Sequence, residues 1–310
     1  RPRLPPFRDR LLFWPGREDI SQTKKLEKAF NESQDENTWI VKPSNESHGN
    51  GIFLSDSLEE ILQHFQNQPD GSKPWLVQRY VQNPMLIDES RKCDIRVWVL
   101  LTHDFKVYVH RDGVVRTSSV SFSMKNLRDK FIHLTNHSIQ QEHSDFGKFE
   151  ESNEIFFPEF ESRLQKSNGI SFYKDIMPQI NLCVKETFVA AKPILEGIDE
   201  IDDYHSFMFF GFDFVVDDSA KVWLLEVNAT PAISQSLQSK IAGDIIKTAI
   251  DPVFPRVQSD TKDGDSEFDL VYASEGRGDF VANMPAPDSY EDVEIETFGM
   301  SGKGSKHSKK

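Results

Sequence analysis

Short runs in which apolar and polar residues alternate fill residues 38–117, and segments with helical spacing separate and follow them. Thr38–Lys42 reads as a strand that ends on a lysine, Ile52–Leu54 as a second strand and Trp75–Val81 as a third. Leu58, Ile61, Leu62 and Phe65 share one helical face behind Glu59 and Glu60, so the spacing predicts a helix over Ser57–Gln66. Cys93–Leu101 is a strong strand, and Lys106–His110 and Val114–Thr117 read as a hairpin about the turn Arg111-Asp112-Gly113. Helices are expected over 20–30, over about 175–195 with an entry near Pro178, and over about 234–249. After Pro255 the periodicity stops and Gly, Ser, Asp and Glu dominate. Such a segment buries too little apolar surface to offset its ordering entropy. Residues 256–310 are therefore expected to form a disordered acidic tail.

The segment 211–228 carries the most chemistry. It reads as two apolar strands around a polar turn. A turn centred on Ser219-Ala220 places Asp213 opposite Glu226, with Asn228 two residues further along that face. Alternation then sends Phe212, Phe214, Val216, Trp223, Leu225 and Val227 to the other face. Two carboxylates facing each other across a strand pair repel, and a cation between them removes the conflict. Hard oxygen ligands of this kind suit Mg²⁺, which completes its shell with phosphate and water.

A second charged pattern lies in Arg91-Lys-Cys-Asp-Ile-Arg-Val-Trp98. Lys92, Asp94 and Arg96 take one strand face and Cys93, Ile95 and Val97 the other. Three charges within an apolar run need partners if they are buried; a phosphate and a carboxylate substrate would serve, and so would a structural salt-bridge cluster. Arg116 adds a guanidinium fork suited to carboxylate or acyl phosphate. Lys42 precedes a loop containing Gly49 and Gly51, whose backbone can approach phosphate closely, though the loop matches neither a Walker A nor a kinase glycine pattern. His133-Leu-Thr-Asn136 groups imidazole, hydroxyl and amide. His133 and His137 are spaced as a helical pair, but no His-Glu-x-x-His motif accompanies them, which argues against zinc.

Composition narrows the classes. The net charge is −14, which argues against nonspecific nucleic-acid binding. Cys93 and Cys183, the two cysteines, form no metal spacing and no disulfide framework, as expected for the cytoplasm. No apolar run approaches the ~18 residues of a membrane span. Twenty-four phenylalanines among 310 residues predict an aromatic core.

Taken in order, Trp39-Ile-Val-Lys-Pro-Ser44, Arg91-Lys-Cys-Asp-Ile-Arg-x-Trp-Val99, His133-Leu-Thr-Asn136 and Gly211-Phe-Asp-Phe214 with Glu226-Val-Asn228 resemble the tubulin–tyrosine ligase family, from about Trp39 to Phe254. The resemblance implies an α+β ATP-grasp fold, with nucleotide between the antiparallel sheets of two subdomains, here 1–100 and 101–255. The family's amino-terminal lobe is expected to be missing or truncated. ATP and Mg²⁺ are the implied cofactors. By resemblance Lys42 meets the adenine edge and α-phosphate, Gln78, Arg79, Tyr80 and Val81 form the adenine hinge, and Leu225 packs beneath the ring. Lys92 and Asp94 lie near ribose and phosphates. Arg96 and Arg116 hold the acceptor carboxylate or acyl phosphate, with His133, Leu134, Thr135 and Asn136 alongside. Asp213, Glu226 and Asn228 bind the metal.

The implied reaction joins free tyrosine to the C-terminal carboxylate of detyrosinated α-tubulin in the αβ dimer, through an acyl phosphate. The enzyme is expected to be monomeric, cytoplasmic and cytoskeleton-associated. His133–Gln140, Asn153–Phe157 and Tyr204–Phe207 look more like the tyrosine-adding branch, whereas Ala229-Thr-Pro-Ala232 is closer to the wider group. The alternatives are a glutamate- or glycine-adding relative and a tubulin-binding pseudoenzyme.

Overall fold

The computed structural model describes residues 11–14, 20–32, 37–44, 46, 49–68, 74–195, 205–254 and 265–274. Two antiparallel sheets organise them. In the smaller sheet β1 (Leu11–Trp14), β2 (Trp39–Pro43), β3 (Phe53–Ser55) and β4 (Trp75–Arg79) run in the order β1-β4-β2-β3. Alternation divides its faces. Trp39, Val41 and Val77 pack with Leu26 of α1 (Ile20–Glu32) and with Ile61 and Phe65 of α2 (Leu58–Gln66). Ile40, Lys42, Gln78 and Tyr80 look the other way, into an open cleft. Ser57 caps α2 by accepting from Glu60 N–H, as the acidic first turn predicts.

The larger sheet is built around β6 (Arg91–Thr102) and β7 (Lys106–Ser121), with β9 (Phe207–Val216), β10 (Val222–Asn228) and β11 (Phe268–Ala273) completing the order β10-β9-β6-β7-β11. Two short strands, β5 (Leu86–Ile87) and β8 (Glu154–Phe156), pair with β6 and β7. Its apolar face carries Cys93, Ile95, Val97, Val99, Phe210, Phe212 and Phe214. Against it lie α5 (Phe157–Asn168) and α6 (Met177–Leu195), through Phe157, Phe160, Ile180, Val184 and Phe188. Each fully buried side chain of this size contributes roughly 1.5–3 kcal/mol, so the expected aromatic core is the main anchor of the fold. The opposite face is split. Lys92, Asp94 and Arg96 border the cleft, while Trp98 and Val114 are covered by Ile241 of α7 (Gln238–Ile245). Among the described residues no helix is long and apolar enough to cross a membrane.

The α+β class is as expected, but four local expectations need correction. Residues 106–117 are not a hairpin: β7 runs straight through, and Arg111-Asp112 belong to a bulge between the pairs Val97↔Gly113 and Val99↔Val109. A division at residue 100 would cut β6, a strand held by neighbours on both sides. The change of sheet falls instead between β4 and β5.

The expected tail begins too early, because β11 adds to β7 with Phe268 opposite His110. The rest of that tail, and Asn45, Ser47, His48 and Tyr204, fall outside the described residues. Lastly, the 211–228 hairpin changes register. Leu224 pairs with Phe214 but Glu226 with Asp213, so Leu225 is the extra residue of a bulge. Val222 and Leu224, rather than Trp223 and Leu225, therefore pack on the apolar face.

Gly113 is fixed by its neighbours rather than by its backbone angles. A Cβ there would lie 2.1 Å from Phe157 Cζ and 2.6 Å from the Arg96 carbonyl oxygen. Gly113→Ala is expected to cost about 1–3 kcal/mol by overpacking, read as a lower urea midpoint. An unchanged midpoint would show that β7 and α5 have room to separate.

Candidate active site

Residues of both sheets line a cleft of about 2180 Å³. All the residues assigned to the site by resemblance line it, although several do work there that their sequence pattern does not reveal. Its floor is the charged face of β6 and β7. Arg116 donates to both Asp94 oxygens at 2.7 Å each, and Thr135 Oγ1 donates to Asp94 Oδ2 at 2.7 Å. Arg96 grips Asp213 with a two-pronged guanidinium, one prong at 2.8 Å, and an Arg116 nitrogen lies 2.9 Å from Asp213 Oδ2. Lys92 Nζ donates to the His133 carbonyl at 2.6 Å. The buried charges of β6 are thus partnered within the protein, where the pattern alone left a bound substrate as one possible partner.

Electrostatics follow from this packing. Burial opposes the Asp213 charge, but Arg116 and Arg96 overcome it and hold the carboxyl far below its ordinary value. Burial also works against Arg116, which Asp94 and Asp213 nevertheless keep firmly protonated. Desolvation pulls Lys92 down to about 8, with Asp94 only partly offsetting it. Lys42, which donates to Gln78 Oε1 at 3.1 Å, is lowered by desolvation too, against the pull of Glu226, Asp213 and Asp94. Glu226 behaves in the opposite sense to Asp213. Desolvation among the cleft walls, and then the negative Asp213 opposite, raise its carboxyl above the usual range.

The donor set suits a hard divalent cation. Glu226 faces Asp213 across the strand pair, and the Asn228 amide donates to Glu226 Oε1 at 3.0 Å, leaving its own oxygen available. Arginines occupy three of the four lone-pair positions of Asp213, two on Oδ2 and one on Oδ1. Glu226 also lies within hydrogen-bonding reach of the Asp213 carboxyl, which brings the two acidic groups together. Carboxylate, carboxylate and amide oxygens are the ligand class Mg²⁺ takes alongside phosphate. The bulge at Leu225 matters here, since without it Leu225 rather than Glu226 would oppose Asp213.

Other expected residues have structural duties. Tyr80 gives its backbone N–H to the Thr38 carbonyl at 2.9 Å, so any recognition of a base by that backbone rests on its neighbours Arg79 and Val81. Its hydroxyl meets His133 Nδ1 at 3.0 Å, while His133 Nε2 lies 2.9 Å from the Asn126 carbonyl. A carbonyl can only accept, so Nε2 carries the proton and Nδ1 accepts from Tyr80. Burial lowers the His133 pKa, and the ring is a neutral strut. Leu134, which follows α3 (Lys130–His133), joins the apolar patch of Ile40 and Tyr80, and Asn136 caps α4 (His137–Gln140) by accepting from Ser138 N–H. His137 packs on Phe146 and does not pair with His133.

Two residues of the stretches expected to resemble the tyrosine-adding branch, Gln140 and Asn153, act as braces. Gln140 accepts from Ser119 N–H and donates to the carbonyls of Phe131 and Leu134. Asn153 donates to the Thr117 carbonyl and accepts from Gly147 N–H. Sequence reading gave the segment after Asn228 no structural role. Trp98 Nε1 donates to the Ala232 carbonyl at 3.2 Å, and Ser234 Oγ donates to Glu154 Oε2 at 2.7 Å, which straps that segment across the lower cleft. A Cβ on Gly211 would meet Pro231 at 2.6 Å and Arg96 Cδ at 3.1 Å. The signal for Glu154 was present in the alternation of Glu154-Ile-Phe156, but its partners are remote in sequence.

Comparison with known proteins agrees with this geometry. Residues 18–262 match the model of the tubulin-tyrosine ligase family. Over 229 residues, 70% of this chain, it is 32% identical to tubulin glycylase 3C of Tetrahymena thermophila, covering 21% of that protein. Tubulin glycylase 3D of the same organism is 32% identical over 75% of the chain and 23% of its own length. The Caenorhabditis elegans protein named "Probable tubulin polyglutamylase ttll-9" is 30% identical over 67% of the chain and 49% of its own length. The chain thus spans about a fifth of the two glycylases and about half of the polyglutamylase. A family match over most of the sequence, joined to a cleft that gathers its four motifs between two antiparallel sheets, makes this chain a member of the tubulin–tyrosine ligase family.

Proposed function

We propose that this chain is an ATP-dependent carboxylate–amine ligase that adds an amino acid to tubulin. The observation that carries the reading is the meeting of Lys42, Lys92, Arg96 and Arg116 with Asp213, Glu226 and Asn228 in one cleft of a tubulin–tyrosine ligase family chain. Arg79, Tyr80 and Val81 would border the adenine, with Leu225 against the ring and Lys42 toward the phosphates. Bound at Asp213, Glu226 and Asn228, Mg²⁺ would supply charge neutralisation for the β- and γ-phosphates.

The remaining work falls to side chains. Arg96 and Arg116 are already oriented by Asp213 and Asp94, so little reorganisation is needed to hold the acceptor carboxylate as it attacks the γ-phosphorus. The acyl phosphate formed carries its charge beside the same guanidinium groups. Attack by the amine of the incoming amino acid forms the amide and expels phosphate. No nucleophilic serine or cysteine is required, and both cysteines are buried.

For the donor we retain tyrosine, on the likeness of His133–Gln140 and Asn153–Phe157 to the tyrosine-adding branch. The names of the relatives favour a second reading, glycine or glutamate added to tubulin. Labelled tyrosine, glycine and glutamate supplied separately with ATP and tubulin decide between them. Incorporation of tyrosine alone is expected; incorporation of either other amino acid would replace that assignment, and no incorporation with no ADP release would remove the ligase reading.

Two further outcomes are expected. Glu226→Gln should lower turnover at least roughly hundredfold with little change in melting temperature, since no cation pairs with Glu226 among the described residues. Asp213→Asn should lose turnover and also about 3–5 kcal/mol of stability, because it strands buried guanidinium charge. Equal stability of the two variants would contradict the contrast drawn between these carboxylates.

Lys92 gives a pH test. With a folded pKa of about 8 against an ordinary 10.5, the unfolded chain binds more protons between those values, so Lys92 makes stability rise with pH across that window. A bound polyphosphate favours the charged lysine. Nucleotide binding near the upper part of the window should therefore take up protons, measured by calorimetry in buffers of different ionisation heat. Lys92→Met should remove most of that uptake; an unchanged value would place the proton elsewhere.

A further inference from the structure

One carboxylate on the cleft floor has no part in the arrangement above. Glu154 lies on the edge strand β8 directly opposite Arg116, and Phe156 directly opposite Val114. Ile155 between them is fully buried in the apolar core, so alternation turns Glu154 and Phe156 to the cleft side, and both line it. Arg116 itself is committed to Asp94 and Asp213. Among the described cleft-lining carboxylates, Asp94, Asp213 and Glu150 each have guanidinium partners, whereas half-buried Glu154, like Glu226 at the proposed metal position, has no ion pair. Its hydrogen-bond partner is the neutral Ser234 hydroxyl at 2.7 Å. A half-buried carboxylate without a cation, one strand away from the guanidinium assigned to the acyl phosphate, is placed to receive a cation that arrives with substrate. In a carboxylate–amine ligase that cation is the ammonium group of the incoming amino acid.

Resting on the ligase reading, we propose that Glu154 binds this ammonium and accepts one of its protons, making it a catalytic residue of the second half-reaction. The step balances. Of the three protons on nitrogen, one passes to the Glu154 carboxylate, freeing the lone pair that attacks the acyl carbon. The C–N bond forms and the C–O bond to phosphorus breaks, phosphate leaving with that electron pair. The second proton goes to the departing phosphate, and the third stays on the amide nitrogen. The Ser234 hydroxyl orients the carboxylate, and Phe156 flanks the donor's side chain.

Hydroxylamine separates the two half-reactions, because it is largely uncharged at neutral pH and traps acyl phosphates without needing an ammonium site. The protein, Glu154→Gln and Ser234→Ala are compared with tubulin, ATP and Mg²⁺, using either labelled amino acid or hydroxylamine. For Glu154→Gln the amino-acid kcat/KM is expected to fall roughly ten- to hundredfold, the scale of one charged hydrogen bond. Its hydroxamate formation and ADP release should stay near the parent's. Ser234→Ala, which keeps the carboxylate, should lose much less.

Loss of hydroxamate together with peptide-bond formation in Glu154→Gln, or an equal loss in Ser234→Ala, would reduce Glu154 to an anchor for the strap and overturn the assignment. A parent protein that forms neither hydroxamate nor ADP would sink the ligase reading, and this assignment with it.

Discussion

The site depends on a chain of ion pairs that crosses three strands: Asp94 to Arg116, Arg116 to Asp213, and Asp213 to Arg96. Taking such charges out of water is expensive, and an isolated buried pair rarely repays it. Here each carboxylate oxygen meets at least one guanidinium N–H, and Thr135 adds a further donor to Asp94. Full satisfaction makes the network rigid, and rigidity is its use. Two guanidinium groups stand oriented before any substrate arrives. With Lys92 and Lys42 nearby, four cationic side chains line this part of the cleft, which suits phosphate.

The backbone makes that network possible through two irregularities. Regular alternation puts Lys92, Asp94 and Arg96 on one face of β6 and the apolar residues on the other. The neighbouring strands must then bring their charges to the same level. On β10 the bulge at Leu225 returns Glu226 to the cleft after the stretch in which Val222 and Leu224 serve the core. On β7 the bulge at residues 110–112 keeps Gly113 opposite Val97 while allowing one strand to continue into the pairing with β11. Both bulges were invisible as such, since a bulge residue looks like a turn residue or one more member of an apolar run.

The residues that carry the family resemblance do two kinds of work. In the proposed ligase the charged floor and the hairpin carboxylates are the chemical machinery. Several other motif residues, namely His133, Gln140 and Asn153, tie loops to strands and touch neighbouring backbone or ring atoms. Selection among donors would have to come from groups that meet the substrate, a place the proposal above gives to Glu154 and Phe156.

Much of the fold was legible because its signals are local. Period-two alternation located β2, β4 and β6, helical spacing behind an acidic first turn located α2, and a polar turn between apolar runs located the hairpin of Asp213 and Glu226. The charges on β6 could likewise be assigned to one face from spacing alone. Tertiary structure decided the rest. It turned Arg96 and Arg116 onto Asp213 and Asp94, set the tautomer of His133 through the Asn126 carbonyl, and brought Glu154 beside Arg116. It also drew residues 268–273 out of an apparently featureless acidic stretch to pair with β7. Those outcomes depend on contacts between residues tens of positions apart, where one side chain's charge or hydrogen bond is fixed by a partner that local pattern cannot name.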